Sequence, residues 1–571
     1  MYPMQRDPHP LTSRTFDVLV IGAGIYGAWT TLDAVKRGLS VALIDQGDFG
    51  GATSANSQRI LHGGLRYLQH ADLRRMRESI RERSILLRIA PHLCIPQAFV
   101  VPTFRGFTAQ SKMAMRIALK LNDWISFDRN RGVSPSRCLC RGKIISRRAC
   151  LELIPGLEPS DTTGGAVFSD GQIVNSERFN LALVRSAFQS GAVACNYIKA
   201  VRFIREGNRI HGIEADDLTS GDKVSIRSKM TIMCAGPWTA QMLRTVVSED
   251  CLAHERSPFP VLRAVVLVTR NFLRGPAVAI RGSFSYKDRE EIFGKGYRNY
   301  FVTPWKEAAL VGTFYDRFSG DPDQLRVTPE DIERYVSEFN QACPEARLSY
   351  KDVLWANIGL VPKAREDPSD DLQYEKQYTI LDHRCKQGIE GLITVVGVKW
   401  TSARDVAEKT VNWAMAHLGA PSVRFSTRRD TNLYGCGYGD FERFVADAKL
   451  SRPAWLSDAS LEHLIECHGD AFSRIVEQAE KEPRLREVLC KRSHTIAAEV
   501  IHAMREEMAL TLSDVVLRRT PIGTLGWPGE AVVRRIGSLM ARELCWDEAQ
   551  TYEQIQQLHA EYERRGVWHE G

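Results

Sequence analysis

Phe16-Asp17-Val18-Leu19-Val20-Ile21-Gly22-Ala23-Gly24-Ile25-Tyr26-Gly27 decides the architecture. Its first half is a short apolar run of the kind buried in a parallel sheet. Its second half spaces three glycines as G-x-G-x-x-G ahead of a helical stretch. Each glycine has a task in a dinucleotide turn: Gly22 permits the tight bend, Gly24 leaves no side chain against a pyrophosphate, and Gly27 lets helix and strand pack closely. The helix N-terminus then turns N–H groups and the positive end of its dipole toward the diphosphate. A second apolar run, Val41-Ala42-Leu43-Ile44, ends in Asp45, 18 residues beyond Gly27. That spacing suits a carboxylate that accepts hydrogen bonds from an adenosine ribose. Together the two signals specify a dinucleotide site and leave open which dinucleotide occupies it.

The 571 residues suffice for several domain-sized units. With 44% apolar and 25% charged residues the composition is that of a globular chain, which excludes disordered, collagen-like and disulfide-scaffold classes. A net charge of +7, from 76 basic and 69 acidic residues, is too dilute to predict a nucleic-acid partner. Residues 1–14 contain no apolar run of signal-peptide length, and nowhere do 18 apolar residues follow one another without a charge. The expectation is a cytoplasmic protein without a spanning segment. Thirteen cysteines, an odd number, read as reduced thiols. Cys138 and Cys140 lack a second pair at zinc spacing, so no metal is expected.

Two distant segments read as further strands of the dinucleotide domain. Met230 to Met233 is an apolar run that ends in Cys234-Ala235-Gly236-Pro237-Trp238, and Leu392 to Val396 is another that ends in Gly397-Val398-Lys399-Trp400-Thr401, with a helix from near Ser402. A strand-to-glycine-to-helix turn can set backbone N–H groups against a ring oxygen. Three separated pieces converging on one cofactor suit the long FAD molecule better than a nicotinamide.

The run Thr53-Ser54, His62-Gly63-Gly64-Leu65-Arg66-Tyr67 strongly resembles the FAD-dependent glycerol-3-phosphate dehydrogenases. The resemblance extends through Ala90-Pro91-His92-Leu93, Pro304-Trp305, Gly312-Thr313 and Arg518-Arg519-Thr520 to nearly the whole chain. It implies an α/β plus α fold: a doubly wound FAD-binding domain, an inserted mixed-sheet substrate domain and a helical C-terminal domain. The expected oxidoreductase region is 15–427, with FAD-binding parts at about 15–95, 165–245 and 355–427 and substrate parts at about 96–164 and 246–354. The helical domain is expected at 438–571, after a polar, glycine-rich passage from Thr427 to Tyr438. The implied reaction is hydride transfer from a secondary alcohol, glycerol 3-phosphate, to flavin and on to a quinone.

By position, the resemblance assigns Gly22, Gly24, Gly27, Asp45, Thr53, Ser54, Ser57, His62, Gly63, Gly64, Gly236, Gly397, Lys399 and Thr401 to the cofactor. It assigns Arg66, Tyr67 and Lys399 to the substrate pocket. Two positions depart from the family pattern. A substrate-phosphate arginine is expected in a G-V-R-P stretch, where this chain has Gly359-Leu360-Val361-Pro362, and an active-site histidine is expected where Val266 stands. Valine cannot clamp a phosphate. Loss of one charge-assisted contact costs roughly 1.5–3 kcal/mol, which the nearby Lys363 and Arg365 offer to compensate in part. A further basic residue that the resemblance expects before a Y-T stretch is Lys376, a substrate-binding candidate whose ammonium brings charge without a planar fork. Arg263 and Tyr315 join the candidates for polar roles in the pocket. A second reading, an FAD-dependent enzyme acting on a different hydroxyl- or amine-bearing metabolite, therefore stays open.

Residues 105–148 carry eleven basic side chains against Asp123 and Asp128, interleaved with Met113, Ile117, Leu121, Trp124 and Phe127. Such a segment suits the headgroup zone of an anionic bilayer, and peripheral attachment to the inner face of the cell membrane is the expectation. An ordinary solvated helix is the equal alternative. Glu499, His502 and Glu506 share one helical face and read as ion-paired or core-facing, not as metal ligands.

Overall fold

The computed structural model describes residues 3–106, 109–154, 161–246, 259–273, 275–286, 296–364, 372, 374–421 and 432–567. The first sheet is built on β1 (Thr15–Ile21), β2 (Val41–Ile44), β3 (Val193–Cys195), β4 (Lys223–Met233), β5 (Thr379–Asp382) and β6 (Leu392–Val396), in the order β5-β6-β4-β1-β2-β3. All neighbours pair in parallel except β5, which closes one edge antiparallel. The side chains of β2 and β6 are buried throughout, as the uninterrupted apolar runs require of a sheet covered on both faces. Helices α1 (Ile25–Lys36), α2 (Ser176–Gln189) and α3 (Ala403–Leu418) cover one face around Trp29, Phe179 and Val411. The antiparallel hairpin Ile198–Glu206 and Arg209–Asp217 covers the other.

Among the described residues the second sheet has nine strands in mixed orientation, with Val353–Pro362 and Val261–Arg270 at one end and Cys94–Phe104 and Thr162–Ile173 toward the other. Every pairing in it among the described residues is antiparallel except Ala277-Val278 with Phe99-Val100. Beyond residue 438 the chain is predominantly helical. Its buried side chains, such as Val500, Leu512 and Tyr562, join one continuous core with Val268, Leu310 and Trp355 of the second sheet. Much of the passage expected as a boundary, including Thr427, and the candidate Arg365 fall outside the described residues.

Candidate functional site

A cavity of about 1260 Å³ runs from the C-terminal ends of β1, β4 and β6 to the second sheet. Its wall at β1 is made by the glycine turn. Gly22 has φ +96°, and a Cβ there would stand 2.5 Å from the carbonyl oxygen of Cys234 at the end of β4. A Cβ on Gly27 would stand 1.8 Å from the carbonyl oxygen of Gly22, so only glycine lets α1 sit against β1. Gly27 thus packs helix on strand, while Gly22 and Gly24 line the cavity. Ser54 Oγ accepts from the Ile25 N–H at 2.9 Å and satisfies one donor at the start of α1.

Asp45 extends from the end of β2 into the same wall and accepts from Ala23 N–H (2.7 Å) and Gly47 N–H (2.9 Å). A carboxylate offers about four lone-pair sites, so acceptor capacity remains for a ligand's hydroxyls. Burial pushes its pKa up to about 6 against the pull of these two donors. Thr53 Oγ1 bonds both the carbonyl and the N–H of Leu360 and ties this wall to the second sheet. Ser57, Gly236 and Gly397 complete the predicted residues that line the cavity at this end.

The loop after β6 forms the facing wall. Tyr26 Oη accepts from the N–H groups of Val398 and Lys399 (3.1 Å each) and donates to the Lys399 carbonyl (2.7 Å). Gly397 is required there, since a Cβ would fall 2.1 Å from the Tyr26 ring. Lys399 Nζ sits 4.4 Å from the centre of the Tyr67 ring, and burial, aided by the charge of Arg66, pulls its pKa down to about 8. Thr313, Tyr315, Val266 and Val361 line this end of the cavity, so the two valines stand on its wall.

Other predicted residues are placed elsewhere. Arg66 and Tyr67 occupy the 3₁₀ turn Leu65–His70 beside Lys399 and are not part of the cavity wall. Gly63 and Gly64 shape that turn: a Cβ on Gly63 would meet the Arg83 guanidinium at 1.9 Å, and one on Gly64 would meet the Tyr67 ring at 2.6 Å. His62 is half exposed, 3.7 Å from Asp170, and does not line the cavity. Thr401 is buried at the start of α3, also off the wall. Arg263 is held by Asp316 (2.7 Å) and Asp331 (2.9 Å), so its charge is spent outside the cavity. The backbone of Lys363 forms an antiparallel bridge with that of Tyr374, the backbone N–H of Lys376 donates to the Glu375 carboxylate, and neither lysine lines the cavity.

The family model described as FAD dependent oxidoreductase matches residues 17–398, and that of the C-terminal domain of alpha-glycerophosphate oxidase matches 428–551. The glycerol-3-phosphate dehydrogenase of Synechocystis sp. is 30% identical over 98% of this chain and 98% of its own. The chain belongs to the FAD-dependent glycerol-3-phosphate dehydrogenase family. The mitochondrial glycerol-3-phosphate dehydrogenase of Homo sapiens is 29% identical over 97% of this chain and 74% of its own. In fold, the chain is similar to the glycerol-3-phosphate dehydrogenase from Bacillus halodurans complexed with FAD, with a TM-score of 0.75, 22% identity and coverage of 99% and 98%.

FAD, the cofactor of this family, fits the wall described. Gly24 leaves its backbone bare, and two buried polar atoms of lining residues, Gln58 Oε1 and Trp400 Nε1, have no hydrogen-bond partner among the described residues. Tyr26 was missed by sequence reasoning; its position between Gly24 and Gly27 was the available signal, but its contact is with a loop 372 residues away. In the helical region His468, His502 and Glu507 converge as a metal site would. Arg178 donates to both Glu507 oxygens and contacts His468 Nδ1, while Arg185 pairs with Glu507 and contacts His502, so two guanidiniums already supply the positive charge. Glu499 pairs with His463 and His468, and Glu506 with Arg185 and Arg474, in keeping with the ion-paired expectation.

Proposed function

We propose that the protein oxidises the secondary hydroxyl of glycerol 3-phosphate to form dihydroxyacetone phosphate, and that Lys399 is the base. The observation that carries this reading is the placement of Lys399, on the cavity wall with a pKa pulled down to about 8. FAD, when bound, supplies the two-electron acceptor that takes the hydride from the carbinol carbon. Neutral Lys399 Nζ takes the hydroxyl proton, the C=O bond forms, and the ammonium so produced rests over the Tyr67 ring. Val266, where the family resemblance expects histidine, leaves this work to lysine. Arg66 stands off the cavity wall but close enough to depress Lys399, and a turn of its side chain toward the substrate's phosphate is part of the proposal. Adding glycerol 3-phosphate to the flavin-loaded protein without oxygen tests the proposal: bleaching of the flavin band supports it, and a persistently oxidised flavin overturns it.

Val361 on the cavity wall favours a second reading, a substrate without a phosphate dianion. Reduction by an uncharged alcohol or an amine, with none by glycerol 3-phosphate, would select it.

Peripheral attachment to an anionic membrane, with a quinone as acceptor, is also proposed. Among the described residues no helix is long and apolar enough to cross a bilayer. The helix Lys112–Ile125 buries Met115 and Leu119 and turns Met113, Ile117, Leu121 and Trp124 outward, with Trp124 76% exposed and Phe127 just beyond it 81% exposed. Lys112, Arg116 and Lys120 flank this apolar face. Met115 and Leu119 belong to the buried cluster against which Leu65 packs, the first residue of the turn that carries Arg66 and Tyr67. A membrane seated on this helix would therefore lie beside the proposed pocket.

A further inference from the structure

We propose that Arg518, from the helical C-terminal region, is a positioning residue for FAD that pins the loop carrying Asp45 and makes cofactor retention depend on that region. The inference rests on reading the cavity as the FAD site.

Asp45, Gly47 and Asp48 follow one another at the end of β2, and all three line the cavity. Asp48 is fully buried, and its carboxylate is held from 470 residues away: Arg518 Nε donates to Oδ2 at 2.7 Å, and Arg519 donates to both oxygens at 2.5 and 2.8 Å. Arg518 also bonds Asp514, whose carboxylate accepts from Tyr197 Oη (2.6 Å) and from the N–H groups of Leu510 and Thr511 (2.8 and 3.0 Å). The circuit closes because the Tyr197 N–H donates to the Gly47 carbonyl at 3.1 Å. Gly47, Asp48, Tyr197 and Arg518 all line the cavity.

Two features separate this contact from ordinary stabilisation. Arg519 alone already neutralises Asp48 with a two-pronged pair, so the second guanidinium is not needed to keep that carboxylate buried. The two arginines also face differently. Arg519 is 2% exposed, bonds the Glu507 carbonyl and is absent from the cavity wall, whereas Arg518 forms part of that wall and passes over Gly51, where a Cβ would meet its Cδ at 3.4 Å. Arg519 anchors the loop to the protein; Arg518 closes it over the cavity.

The test compares Arg518→Met, Arg518→Lys and Arg519→Met by FAD Kd and dissociation rate, followed by flavin fluorescence, and by the melting temperature of the FAD-free protein. In R518M, Asp48 keeps Arg519, and Asp514 keeps Tyr197 and two N–H groups, so the fold has partners for both carboxylates. Expected for R518M is a Kd raised about tenfold to a hundredfold. Because the buried Asp514 loses its guanidinium, the melting temperature of the FAD-free form also falls, as it does in R519M. The two variants are therefore told apart by Kd, which R519M leaves within a few-fold, and R518K recovers part of the affinity. In the unaltered protein, added FAD slows amide hydrogen exchange across residues 510–520. An unchanged Kd in R518M, or no effect of FAD on exchange at 510–520, overturns the inference. An unaltered chain that binds no FAD overturns the reading of the cavity, and the inference with it.

Discussion

Replacing Lys399 with methionine removes the amine while keeping the length and apolar body of the side chain. The structure sets the expected size of the effect. An ordinary lysine has a pKa of 10.5, and burial together with Arg66 brings Lys399 to about 8. At pH 7 the neutral fraction therefore rises by roughly 300-fold over an exposed lysine, to about one molecule in ten. A base so tuned contributes about 10²–10⁴-fold to a proton-transfer step. Because the pKa is lowered, the amine is charged and inactive below about 8 and free above it, so the rate climbs as pH rises and levels off beyond that midpoint. Rapid mixing of the flavin-loaded protein with glycerol 3-phosphate, without oxygen and across pH 6 to 10, reads the step directly. K399M is expected to reduce flavin at least ~100-fold more slowly and to lose the rise with a midpoint near 8. Arg66→Gln removes a neighbouring positive charge and is expected to move that midpoint upward. A K399M enzyme that keeps both its rate and its pH dependence would refute the assignment of the base.

Introducing arginine at position 361 puts a guanidinium on the cavity wall, and KM for glycerol 3-phosphate should fall about tenfold or more; steady-state kinetics check this, and no change would count against phosphate binding at that wall. Gly397→Ala drives a Cβ into the Tyr26 ring and should weaken FAD binding, with Tyr26→Ala restoring part of it in the double variant, as equilibrium binding would report. Changing Trp124 and Phe127 to glutamate should abolish flotation with anionic vesicles at low salt and leave turnover with a soluble acceptor intact; equal flotation of the variant would remove the membrane proposal.

The nucleotide half of the site was legible because its signals are local. A buried strand, three glycines at fixed spacing and a carboxylate after the next strand can each be read within 30 residues. The ends of β4 and β6 were legible for the same reason. Contacts between distant segments were not. Arg263 looked available for the pocket, but the antiparallel register of its strand sets it opposite Asp316, and Asp331 on a neighbouring helix completes its pairing. The His62-Gly63-Gly64 motif looked like cofactor contact. The bulk it makes room for is Arg83 and the Tyr67 ring, which only the folded chain brings up behind it. Arg518 enters the sequence reading only within the Arg518-Arg519-Thr520 resemblance, and its pairing with Asp48 has no local signal, since 470 residues of chain must bring the two together.

The central claim is that the cavity between the two sheets holds FAD. Releasing the flavin from purified protein by denaturation and measuring its amount against protein tests it most directly. One FAD per chain is the predicted result. A colourless protein that takes up none when FAD is added would contradict the account.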